Sequence, residues 1–261
     1  MGSFEAPSLR NRGKLEVRLW SVAAFVLGAM SSSVQAECVD PSTLMRSTVS
    51  ITRYFDEGEQ KTGSLGIRGT AWFLSPTSLV TVEHVTAAMR LSDQDWKQAE
   101  ILEGENRQSI AVRIHRTAGS GGERISVLEL RSAYTGARAL PIRMELVAAE
   151  ERVVSLAYPG NRLRFAAGRF VRYGDSDRVA GTALLEMYDG DDRLVLDHGA
   201  SGAPILDCEG RVIAVVSNVF TQTMQSPFRA IRISTAWGQP NVVSVPVQVL
   251  SMTSETGSVR R

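Results

Sequence analysis

Metal-ligating residues are scarce in this chain: its 261 residues include 2 cysteines and 3 histidines. Neither Cys-x-x-Cys nor His-Glu-x-x-His spacing occurs, so no zinc site can be drawn and no cofactor is expected. An excess of charge of one sign is missing too. Lys and Arg number 29 against 28 Asp and Glu, a net charge of +1. The clustered cations that grip phosphate in nucleic-acid binding are therefore not at hand. There is no glycine loop of the phosphate-cradling kind. With 9 prolines and 22 glycines, a collagen-like or low-complexity chain is excluded. No apolar run reaches the roughly 20 residues that a membrane-crossing helix needs. What is present, 43% hydrophobic residues, is enough to build a buried core.

The N-terminus has the pattern of a secretory signal peptide. Arg10, Arg12, Lys14 and Arg18 precede an apolar run over residues 19–30, which is closed by Ser31, Ser32 and Ser33 and then Val34, Gln35 and Ala36. Small residues occupy the positions a signal peptidase reads, and cleavage after Ala36 is expected. The mature protein is then exported, periplasmic or secreted, with no membrane attachment. Both cysteines, Cys38 and Cys208, lie beyond the cleavage point. An even count in an oxidising compartment predicts one disulfide, joining the new N-terminus to the C-terminal half. Closing so long a loop is worth about 4 kcal/mol in the chain-entropy model.

Beyond residue 37 the apolar pattern consists of short runs broken by turn residues, which predicts an all-β domain. Residues 49–55 alternate at period two. Residues 70–74 and 79–82 form a hairpin pattern around Ser75, Pro76, Thr77 and Ser78. Further strands are expected at 110–115, 125–130, 152–156, 169–173, 183–187, 194–196, 211–217 and 242–247. Their near-regular spacing favours a barrel or sandwich over alternating βα units. Residues 136–144, with Pro141, read as the connection between an N-terminal half (37–140) and a C-terminal half (141–252), and 253–261 as a polar tail.

Two stretches carry chemistry. His84 follows the strand at 79–82 and opens a helical turn, so its imidazole stands at a rigid corner and is the favoured neutral-pH base. His115 reads as an ordinary strand residue, and His198 lies three residues before the second stretch. That stretch places Ser201 in the small-residue loop Gly199-Ala200-Ser201-Gly202-Ala203-Pro204, heading a hairpin. Acyl transfer needs an activated hydroxyl and backbone N–H groups aimed at a developing oxyanion. Ser201 can be the nucleophile. Gly199, free to take a positive φ, and Ser201 itself can supply the amides.

These residues resemble the chymotrypsin-like (trypsin-fold) serine peptidases, in particular the bacterial exported trypsin-like and V8-like branch. Gly69-Thr70-Ala71-Trp72-Phe73-Leu74 followed by Leu79-Val80-Thr81-Val82-Glu83-His84-Val85 is similar to the strand and catalytic-histidine motif of that family. Gly199 to Pro204, with Asp207, Gly210 and residues 212–217, is similar to its catalytic-serine motif. Ala157-Tyr158-Pro159-Gly160 matches more weakly. The resemblance implies two packed antiparallel β-barrels with the active site in the cleft between them. It also implies His84 as base and Ser201 as nucleophile on a peptide or protein substrate, with no cofactor and a monomeric protein.

Departures from the family pattern fall at Arg124, at Glu83 and at Ala214, which replaces a common glycine in the strand lining the substrate pocket. The family places its triad aspartate just before a strand that corresponds to 125–128, and Arg124 occupies that position. A cation there would oppose the imidazolium that forms during catalysis. Glu123 one residue earlier, another carboxylate, or a broken triad are the alternatives, and Glu123 is the candidate acid. A broken triad would leave a pseudopeptidase that holds peptides without cleaving them. Glu83 stands beside His84 in place of a small residue. The position corresponding to the family's pocket floor is Val195, which implies small or apolar side chains in the substrate.

Overall fold

Two closed antiparallel barrels of six strands each form the framework of the described chain. The computed structural model describes residues 38–60, 65–119, 124–176, 179–188, 199–219, 221–225, 230–234 and 239–251. In the first barrel β1 (Thr48–Tyr54), β2 (Gly66–Ser75), β3 (Ser78–Val82), β4 (Lys97–Glu103), β5 (Asn106–Ala118) and β6 (Ile125–Leu130) run in the order β1-β2-β3-β6-β5-β4. The ring closes where Ser50, Ile51 and Thr52 of β1 pair with Leu102, Ile101 and Glu100 of β4. Closure leaves no strand edge to aggregate.

The second half follows as β7 (Arg152–Ala157), β8 (Arg164–Ser176), β9 (Val179–Tyr188), β10 (Pro204–Asp207), β11 (Val212–Val219), β12 (Thr221–Gln225), β13 (Ala230–Ser234) and β14 (Val242–Pro246). Its barrel order is β10-β11-β14-β9-β8-β7, while β12 and β13 pair as a separate ribbon. Among the described residues the helical pieces are short: α1 (Pro41–Leu44), α2 (Glu83–Ala88) and two 3₁₀ turns, Pro159–Asn161 and Val247–Leu250.

The expected all-β architecture is therefore the one formed, and β6 has the limits its sequence predicts. Other strands differ in extent. β5, β8 and β9 extend well past their apolar cores, because polar residues at their ends are held by ladder pairing. β4, Lys97-Gln-Ala-Glu-Ile-Leu-Glu, was not anticipated: its polar composition suits a helix as well as a strand. Pairing with both β1 and β5 makes it a strand, with Ala99, Ile101 and Leu102 buried. The strand expected at 194–196 lies outside the described residues, as do the expected leader (1–36) and the expected polar tail (253–261).

Trp72, Phe73, Ile51, Leu79, Ile101, Ile125 and Leu128 fill the first barrel, all fully buried. Each such side chain contributes about 1.5–3 kcal/mol. The same apolar cluster continues into Val154, Leu156, Leu206, Val212, Val215 and Val245 of the second barrel, so hydrophobic contact joins the lobes. Phe170, Leu185, Ile205 and Ile213 form the separate interior of the second. The segment between β6 and β7 crosses the junction: Leu140 N–H donates to the Phe73 carbonyl, and Val212 N–H to the Pro141 carbonyl at 2.7 Å. The expected disulfide joins Cys38 to Cys208, clasping the N-terminal segment to the β10–β11 turn.

Candidate active site

α2 has six residues, too few to be stable alone, so tertiary contacts must hold His84 in place. At its N-terminal end the Glu83 N–H donates to the Arg124 carbonyl at 2.8 Å. The Glu83 carboxylate takes both arms of the Arg124 guanidinium, with Nε to Oε2 at 2.7 Å. At its C-terminal end Arg53, which is 2% exposed, donates from Nη1 to the Met89 carbonyl at 2.9 Å, and its other nitrogen is paired with Glu59. On the inner side Thr86 Oγ1 donates to the Glu83 carbonyl at 2.8 Å and lies 3.0 Å from Ser126 Oγ. Val85, Thr86 and Met89 are buried while His84 itself is exposed.

Glu83 and Arg124, two of the departures from the family pattern, are in contact. Each looks anomalous alone, but in space they form one ion pair, 41 residues apart in sequence. Val82 pairs with Ile125 across β3 and β6, which sets the next residue of one strand against the preceding residue of the other. The cation beside the histidine corner is thereby neutralised by its own neighbour. Arg124 is 45% exposed and Glu83 29%, so the pair adds at most about 1 kcal/mol to stability. Its effect is on local charge.

Ser201 sits in a tight loop seated on the first barrel. Gly199 has φ +98° and Gly202 φ +93°, both in the left-handed region that favours glycine. A Cβ on Gly202 would be driven into the Thr70 carbonyl and the Thr81 hydroxyl. Thr70 N–H donates to the Ser201 carbonyl at 2.9 Å, and Thr70 Oγ1 donates to the Gly199 carbonyl at 2.6 Å. Gly202 N–H donates to Val216, at 2.7 Å. Ser201 Oγ donates to the Ser217 carbonyl at 3.2 Å. Gly69 links the two key stretches: a Cβ built there would lie 2.6 Å from a methyl of Val85, the residue after His84, and 3.4 Å from the Ser201 carbonyl. The histidine corner and the serine loop thus converge on one glycine of β2.

A second set of polar contacts joins the lobes: Gly104 N–H, in the β4–β5 turn, donates to the Tyr158 hydroxyl at 3.0 Å. Within the first half, Asn106 Nδ2 donates to the Tyr134 hydroxyl at 3.3 Å. Burial and then the Glu103 carboxylate push the Tyr134 phenol up to about 12. Burial also raises Tyr158. Ser50 Oγ donates to Asn161 Oδ1 at 2.9 Å.

Of the residues marked in the sequence, His84, Gly199, Ser201, Cys38 and Cys208 are described. Glu123, Val195 and His198 lie outside the described residues. His115 is exposed on β5. Sequence reasoning missed the Thr70 hydroxyl and the Ser217 carbonyl as partners of the serine loop. Thr70 lies 129 residues from Gly199 in sequence, and the Ser217 carbonyl reaches Ser201 from β11, 16 residues on, through the fold of the hairpin.

Residues 69–215 match the family model described as the trypsin-like peptidase domain. No curated protein matches the chain in sequence. Among solved structures, the active form of the Rv3671c protease from M. tuberculosis superposes with TM-score 0.53 at 17% identity, covering 81% of this chain and 80% of that one. Its inactive form gives TM-score 0.54 at 15% identity, covering 80% and 88%. At these identities the likeness is one of fold.

Proposed function

Given that the chain belongs to the trypsin-like peptidase domain family, we propose that it is an exported serine endopeptidase working through an acyl-enzyme on Ser201. His84 acts as general base, taking the Ser201 proton as the hydroxyl leaves the Ser217 carbonyl and attacks the scissile carbonyl carbon. It then returns that proton to the leaving amine. The amides of Gly199 and Ser201 receive the oxyanion of the tetrahedral intermediate. Water, activated by the same imidazole, releases the acid product and restores Ser201. Glu123 is the proposed acid that orients His84. The substrate is a peptide or protein with a small or apolar side chain at the cleavage site, and the enzyme acts as a monomer outside the cytoplasm. The observation that carries this reading is the seating of the Gly199–Ser201 loop on β2, next to the residue that follows His84.

The test is labelling by a fluorophosphonate probe, with Ser201→Ala and His84→Ala as controls. Wild-type protein should label and both variants should not; wild-type labelling no greater than that of Ser201→Ala would end the enzymatic reading. Glu123→Gln should slow labelling severely, on the order of 10⁴-fold, the cost of losing an orienting acid. One observation favours a second reading. Arg124 stands where the family carries its aspartate and is engaged with Glu83, which suits a pseudopeptidase that binds an extended peptide by strand addition. In that case peptides bind the unlabelled protein without being cleaved.

A further inference from the structure

Thr70 is fully buried and every polar group it carries is used. Its N–H donates to the Ser201 carbonyl, its carbonyl accepts from Thr81 Oγ1 at 2.8 Å, and its hydroxyl donates to the Gly199 carbonyl. The hydroxyl also accepts from the Tyr158 N–H at 3.0 Å, so it is shared between the serine loop and the end of β7 in the second barrel. One residue of the first barrel thus ties down two carbonyls, two positions apart, in the loop of the second.

We propose that Thr70 is a positioning residue for the oxyanion-binding loop, setting the Gly199 and Ser201 amides through its hydroxyl and its N–H. This rests on the proposed function of Ser201. With the Gly199 and Ser201 carbonyls both fixed on Thr70, the peptide units between them have little freedom to rotate. Gly199 is the residue that most needs restraint. At φ +98° it occupies a conformation that glycine leaves easily, since it has no side chain to limit the alternatives. The Thr70 hydroxyl supplies that restraint, and the Tyr158 N–H holds the hydroxyl in turn. Tyr158 is 1% exposed, with its own hydroxyl held by the Gly104 N–H, so the orientation of the loop is referred back to both barrels. Valine, with nearly the same shape, would leave the Gly199 carbonyl and the Tyr158 N–H without their partner. Serine keeps the hydroxyl and loses only a methyl.

The experiment compares wild type, Thr70→Val and Thr70→Ser by fluorophosphonate acylation rate and by backbone amide exchange in solution. Thr70→Val should acylate at least tenfold more slowly, as expected when an oxyanion donor is displaced, with KM for a peptide ester within threefold of wild type. Thr70→Ser should rescue the rate to within threefold. Amide exchange at residues 199–202 should rise at least tenfold in Thr70→Val while β6 amides keep their protection. Acylation by Thr70→Val at the wild-type rate overturns the proposal, as does Thr70→Ser slowed as much as Thr70→Val. If Thr70→Val does not fold, Thr70→Ser alone carries the test: a rate within threefold supports the hydroxyl, a tenfold loss overturns it. Wild-type protein that takes no label overturns the hydrolytic reading only. The exchange measurement then decides Thr70, and unchanged exchange at 199–202 in Thr70→Val overturns its role.

Discussion

Replacing Gly202 by alanine isolates the cost of seating the serine loop on the first barrel. Two terms add. The backbone at φ +93° is strained for any residue with a Cβ, by about 1–2 kcal/mol. The added methyl also meets the Thr70 carbonyl and the Thr81 hydroxyl, atoms already bound to each other at 2.8 Å inside the first barrel. Neither can swing aside, since one is strand backbone and the other a buried side chain. Overpacking of this kind costs a further 1–3 kcal/mol or so. Gly136 is a matched control: it has φ +90° and open space where its Cβ would be, so Gly136→Ala shows the backbone term alone. Urea denaturation should give Gly202→Ala a loss of about 2–5 kcal/mol and Gly136→Ala about 1–2 kcal/mol. Relative to a domain stability of about 5–15 kcal/mol, the first loss is severe. Fluorophosphonate labelling of Gly202→Ala should fall at least tenfold, while that of Gly136→Ala stays at the wild-type level. Losses equal within 0.5 kcal/mol would refute the collision and with it the tight seating of the loop.

Tyr134, 2% exposed and raised to about 12, makes stability fall in alkali. Below pH 10 the phenol is neutral in both states and its full contribution is present. Between pH 10 and about 12 only the unfolded chain ionises, and stability drops by about 1.4 kcal/mol per pH unit. Tyr134→Phe should lose that share of the slope, and an identical slope for the two proteins contradicts the burial. Glu83→Gln should cost under about 1 kcal/mol but slow acylation, by leaving Arg124 uncompensated beside His84. The exchange Glu83→Arg with Arg124→Glu should recover most of the rate, and a double variant no faster than the single one would show that the pair does not act by local charge. Reducing the Cys38–Cys208 disulfide should lower stability by about 2–5 kcal/mol, measured by denaturation with and without reductant. A change below 1 kcal/mol would mean the clasp restrains little.

Much of the fold was legible because buried strands are short apolar runs between turn residues. β6 has the limits expected of it, while β2, expected at 70–74, runs from Gly66 to Ser75. β4 was not: Lys97, Gln98, Glu100 and Glu103 make it polar, and its strand character comes from neighbours on both sides. β14 was expected to reach Val247, but the chain turns into a 3₁₀ helix after Pro246. The site was legible in part. Gly199 has the positive φ expected of it in the serine loop, and the disulfide was legible from an even count of two cysteines. Arg124 and Glu83 could only be marked as separate anomalies, since a residue at the end of one strand and another at the start of its neighbour pair through register. The Thr70 hydroxyl gave no signal either, because its two partners come from the other barrel.

The most direct test of the account is whether His84 and Ser201 act as one unit. Hydrolysis of a small-residue peptide ester is measured for wild type, His84→Ala, Ser201→Ala and the double variant. Each single change should reduce the rate to the same residual, on the order of 10⁶-fold below wild type, and the double variant should be no slower. Losses that multiply in the double variant, or a single variant that keeps the wild-type rate, would contradict a base and nucleophile sharing one proton.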